Sequence, residues 1–62
     1  MIEKPKLFNE KETAEMVSRA VQTLRNDRFL RQGIPYVKLG RSIRYSLEDI
    51  MAYLDARKIT FN

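Results

Sequence analysis

The chain predicts a small α+β domain of three short helices, with a two-stranded antiparallel hairpin between the second and third. Three observations carry that expectation. Two capping signals, Asn9 with Glu12 and Ser46 with Asp49, each open a run of helical periodicity. Between them, residues 36–45 alternate with period two and are broken by a single glycine, Gly40. The chain has 62 residues, which sets one small domain with a compact core and modest stability.

Residues 1–6 mix charge with Pro5 and show no periodicity, so they read as a flexible tail. The domain is expected over residues 7–58 and a C-terminal tail over 59–62. Asn9 and Glu12 form a capping box with Asn in place of the commoner Ser or Thr, and Leu7 or Phe8 is placed to staple against Thr13 or Ala14. The first helix then covers residues 10–17. Thr13, Ala14, Met16 and Val17 make its buried stripe, while Glu10, Lys11 and Glu15 face water.

The pattern pauses at Ser18-Arg19-Ala20 and resumes with Val21 and Leu24, spaced i, i+3 among polar residues. A second helix over residues 20–26, reaching to Asp27, fits this spacing. Two short helices with a turn of three or four residues, the second arginine-bearing on its outer face, have the layout of a helix-turn-helix. Residues 28–33 read as an irregular connector, in which Gly33 is a helix stop or turn and Pro35 sets an extended entry to the next segment.

Strands are expected over residues 36–39 and 43–45. Val37, Leu39, Ile43 and Tyr45 would form the packing face, and Lys38 and Arg44 the outer one. With Leu39 opposite Ile43, the loop is Gly40-Arg41-Ser42 and Lys38 faces Arg44. That like-charge pair would be eased by an anion lying against it. A two-residue loop is the alternative, and it shifts the register. Ser46 caps a third helix running to about residue 57, with Glu48 and Asp49 in its first turn and Leu47, Ile50, Met51 and Leu54 as its apolar stripe. This helix is expected to cover the hairpin and the first helix pair.

Charge is unevenly placed. The net charge is +4, but residues 18–45 hold seven basic side chains against Asp27 alone, while the flanking segments are each slightly acidic. Such a block points to a polyanionic partner, since Lys and Arg gain affinity by releasing counterions condensed on phosphate. The competing reading is a solvated basic surface. Without cysteine or histidine the chain lacks disulfides, thiol nucleophiles, the usual zinc ligands and the commonest general base. Neither an enzyme nor a metal or cofactor site is expected. No apolar run approaches the ~20 residues of a membrane span, so a cytoplasmic protein is expected, nucleoid-associated when bound to DNA.

Helix 2 supplies the candidate base and phosphate contacts: Arg19, Gln22, Thr23, Arg25 and Asn26. Gln and Asn pair with adenine and Arg with guanine. The hairpin supplies Lys38, Arg41, Ser42 and Arg44; a tip arginine has no core role. Arg28 reads as structural, its stem over Val21 and Leu24 and its head paired with Asp27 or Glu12. Tyr45 reads as a half-buried core aromatic.

Through Glu12-Thr13-Ala14-Glu15, Thr23-Leu24-Arg25, Pro35-Tyr36-Val37-Lys38-Leu39-Gly40-Arg41 and Arg44-Tyr45 into the helix of Tyr53-Leu54, the chain resembles small excisionase and AlpA-type DNA-binding proteins of the MerR-like winged helix-turn-helix superfamily. The resemblance covers residues 7–56. It implies a second helix in the major groove, a hairpin wing on the adjacent backbone or minor groove, and a role in phage or integrative-element excision or in transcriptional control of the integrase gene. Double-stranded DNA, a tyrosine recombinase (integrase) and further copies of the chain bound cooperatively on DNA are the implied partners.

Two departures stand out: Ser18 replaces the usual turn glycine, and Ala20 replaces a capping Ser or Thr. They suggest that Ser18 caps helix 2 from an earlier start. A different class of function, a protein-interaction module, would show an exposed apolar patch around Met51, Tyr53 and Phe61.

Overall fold

The computed structural model describes residues 6–60. Their order is β1 (Leu7–Phe8), α1 (Glu10–Met16), α2 (Val21–Phe29), β2 (Val37–Leu39), β3 (Ser42–Ser46) and α3 (Leu47–Ala56). Residues 1–5 of the expected N-terminal tail and the position of Phe61 lie outside the described residues. Lys6, assigned to that tail, belongs to the domain, because its carbonyl accepts the Leu47 N–H at 3.1 Å.

The architecture is α+β, with three helices and one antiparallel sheet. The sheet has three strands in the order β1-β3-β2, not the two expected. Leu7 pairs with Ser46 and Phe8 with Tyr45, so the segment before α1 is itself a short strand. Nothing local announces it, since its partner lies almost forty residues along the chain.

Both capping signals act as read. The Glu12 N–H donates to Asn9 Oδ1 at 2.8 Å and the Asn9 N–H donates to Glu12 Oε1 at 3.0 Å. The Asp49 N–H donates to Ser46 Oγ at 3.2 Å, and the Ser46 hydroxyl donates to Asp49 Oδ2 at 2.9 Å. Acidic residues in the first turns of α1 and α3 complement the positive end of the helix dipole.

The turn between α1 and α2 corrects one expectation. Ser18 does not cap α2; it closes α1 from the left-handed region at φ 54°. The Arg19 N–H donates to the Ala14 carbonyl at 2.9 Å and the Ser18 N–H to Glu15 at 3.2 Å, which is a Schellman closure. Ala20 is left as the N-cap of α2 without a side-chain cap bond. The same closure ends α2: Arg31 is at φ 56°, Gln32 donates to the Asp27 carbonyl at 2.9 Å, and Arg31 to that of Arg28 at 3.0 Å. This helix therefore runs to Phe29, beyond the expected Asp27, and Arg31 stops it where Gly33 was expected to.

The hairpin takes the two-residue loop. Val37 pairs with Arg44, Lys38 with Ile43, and Leu39 with Ser42. Gly40 has φ 62° and Arg41 is not in the positive region, matching a type II′ turn with glycine first. Because side chains alternate, this register splits the expected packing face. Ile43 and Tyr45 turn toward the core, while Val37 and Leu39 share the outer face with Arg44 and Ser42 and remain exposed. Lys38 and Arg44 are not opposed, and the supposed like-charge pair is absent.

The core gathers Ala14, Val17, Leu24, Ile34, Tyr45 and Ile50, with Phe8, Val21, Ile43 and Tyr53 packed at its margin. Thr13 is fully buried, and its hydroxyl donates to the Asn9 carbonyl at 2.8 Å. Ile34 was not foreseen, since it stands between Gly33 and Pro35 with no periodic pattern around it. Met16, Met51 and Leu54, assigned to buried stripes, are exposed. The third helix packs through Ile50 and Tyr53, leaving the other side of its stripe in solvent.

Candidate nucleic-acid interface

The candidate interface begins with α2. Its inner face carries Leu24 into the core, so the residues two positions to either side of it, well round the cylinder, point outward. Gln22 and Asn26 are both exposed, and the Gln22 side-chain amide donates to Asn26 Oδ1 at 3.0 Å. Arg25 stands beside them. Thr23 is half-buried, and Arg19 is exposed in the turn before the helix.

Arg25 does not float in solvent. Its Nε donates to Glu10 Oε1 and Oε2 at 3.1 and 3.3 Å, and its Nη2 donates to Oε1 at 2.6 Å. The same carboxylate accepts from Arg28 Nη2 at 3.0 Å. Arg28 Nη1 donates to the Tyr45 hydroxyl at 2.7 Å, and its guanidinium lies 5.8 Å from the centre of the Tyr36 ring. Arg28 is thus structural, as expected, but its partners are Glu10 and Tyr45 rather than Asp27 or Glu12. Tyr45 is a buried core aromatic whose hydroxyl is satisfied by this arginine.

These bonds bring α1, α2 and the hairpin together around an open groove of ≈ 460 Å³. Lys11, Arg25, Arg28, Arg41 and Arg44 line it around the single carboxylate of Glu10. Ser42 contributes a hydroxyl on the hairpin side. Arg44 is half-buried with its Nη1 donating to the Ile43 carbonyl at 2.8 Å, whereas Arg41 at the turn is exposed. Lys38 is exposed but lies outside the groove lining, so the structure does not join it to the other hairpin cations.

Hydrogen bonds from Arg25 hold the Glu10 carboxyl below its ordinary range; desolvation opposes them and Arg28 reinforces them. Glu10 therefore stays ionised and leaves the groove with a clear positive excess. Such a surface suits phosphate, with the guanidinium forks matching paired oxygens. Among the described residues no group of His, Cys, Asp and Glu is arranged to hold a metal ion, and no helix is long and apolar enough to cross a membrane.

Sequence reasoning placed Glu10 and Lys11 in water and missed their part in the groove. A signal was present: Arg25 and Arg28 are spaced i, i+3, so they share one side of α2 and can share one carboxylate. Outside the groove lining, Met51 and Leu54 of α3 and Ile59 beyond it are exposed, while Tyr53 is half-buried beneath Arg57, whose guanidinium lies 3.7 Å from the ring centre.

In comparisons with family models, curated proteins and solved structures, the chain matches none.

Proposed function

We propose that the protein binds double-stranded DNA sequence-specifically as a winged helix-turn-helix module. In this reading α2 enters the major groove and the β2–β3 hairpin grips the adjacent backbone or minor groove. The supporting observation is the convergence of Arg25 and Arg28 of α2, Arg41 and Arg44 of the hairpin, and Lys11 on one groove with one carboxylate. A phosphate chain crossing that groove would meet cations from both elements at once, while Gln22, Asn26 and the outer edge of Arg25 face the bases.

The biological role most in keeping with the sequence resemblance is that of a phage or integrative-element excisionase working beside a tyrosine recombinase in the cytoplasm, without catalysis of its own. Control of an integrase gene is the alternative use of the same DNA contacts. A module this small buries limited interface, so neighbouring copies or the recombinase supply part of the affinity.

The test uses duplexes recovered by selection from a random-sequence pool. The double substitution Arg41→Ala/Arg44→Ala is expected to weaken binding by about tenfold or more and to flatten its salt dependence by about two phosphates' worth, with thermal unfolding little changed. Unchanged affinity in a folded double variant refutes the reading. The exposed Met51, Leu54 and Ile59 favour a second reading, a protein-interaction module. Partner binding through those side chains would survive the loss of both arginines.

A further inference from the structure

We infer that Glu10 is a positioning residue for recognition, fixing the guanidinium of Arg25 so that its outer edge meets a guanine. This inference rests on the DNA-binding reading above. The geometry begins with exposure: the Arg25 side chain is 54% exposed, and an unrestrained arginine at such a site samples many rotamers. Here the Nε and Nη2 edge is taken by one carboxylate, with three contacts of 2.6 to 3.3 Å. That leaves the end-on edge, formed by Nη1 and the second N–H of Nη2, without a bond among the described residues. Two parallel donors on that edge match O6 and N7 of guanine in the major groove.

Glu10 has the support needed to hold such a pose. Its second oxygen accepts from Arg28, whose side chain is only 15% exposed, and Arg28 is held in turn by the hydroxyl of buried Tyr45. The surface arginine is therefore tied to the core through Glu10, Arg28 and Tyr45. A reading side chain fixed in this way loses less freedom on binding, which favours discrimination over bulk attraction.

The sign of the effect separates this role from plain electrostatics. If Glu10 only dilutes the positive field, Glu10→Gln tightens binding to every duplex. If it positions Arg25, the same change weakens binding to the preferred duplex and leaves scrambled DNA bound as well or better. The experiment measures full-length wild type, Glu10→Gln, Arg25→Lys and the double variant against a duplex selected from a random pool and a scrambled duplex of equal composition. Each single change is expected to lower discrimination about tenfold, and the double change no further, since both remove one linked contact.

Arg25→Lys leaves the Glu10–Arg28–Tyr45 chain in place, so it reports even where Glu10→Gln unfolds the domain. Retained discrimination in Arg25→Lys, retained discrimination in a folded Glu10→Gln, or additive losses in the double variant overturns the inference while DNA binding stands. Wild type that binds no duplex overturns the DNA-binding reading, and this inference with it.

Discussion

One carboxylate, that of Glu10, accepts from two arginines of α2 and so joins the start of α1 to the middle of α2 and, through Arg28, to Tyr45. Removing the Tyr45 hydroxyl leaves Arg28 one bond short at a largely covered site, and Tyr45→Phe is expected to cost about 1–2 kcal/mol in urea unfolding. Glu10 has a folded-state value below its ordinary 4.5, chiefly through Arg25. Its stabilising contribution is therefore complete above about pH 4.5 and is lost as pH falls through the folded value. Thermal melts of wild type and Glu10→Gln should differ near neutrality and converge in acid; a constant difference across that range contradicts the linkage.

At the level of elements, α1 and α2 both end on residues that disfavour the left-handed region, Ser18 and Arg31, and α2 starts without a side-chain cap. Ser18→Gly and Ala20→Ser are each expected to stabilise the fold by roughly 0.5–1 kcal/mol, the first by relieving φ strain and the second by satisfying an N-terminal N–H. Gly33→Ala has the opposite sign. At φ 82° its new Cβ would come within 2.9 Å of the Asp27 side chain, and a loss of about 1–3 kcal/mol is expected in denaturant unfolding.

These turns also show how far local reading reaches. The capping box at Asn9, the N-cap at Ser46 and the reversal at Gly40 are local codes, and they were legible. The hairpin register was not, because placing Gly40 first in a two-residue loop instead of a three-residue one moves every side chain of one strand to the other face. The pairing of Leu7 and Phe8 with β3, the burial of Ile34, and the Glu10 clasp on Arg25 all depend on chain segments far apart in sequence. The hairpin arginines were read as candidates from residue type and position, but the groove that gathers Arg41 and Arg44 with Arg25 exists only in three dimensions.

Taken whole, the molecule is a small α+β scaffold that gathers cations into one groove and leaves Met51, Leu54 and Ile59 exposed on α3 and its exit. The concentration of basic residues in the middle of the chain makes sense in this frame, since α2 and the hairpin come from that segment and form the groove walls. Counterion release then becomes the property that most directly separates DNA binding from solvation. Titrating a selected duplex with the full-length protein at a series of salt concentrations measures it. About five to six phosphate contacts predict that log K falls with log salt at a slope near −5, and a slope near zero would contradict the account.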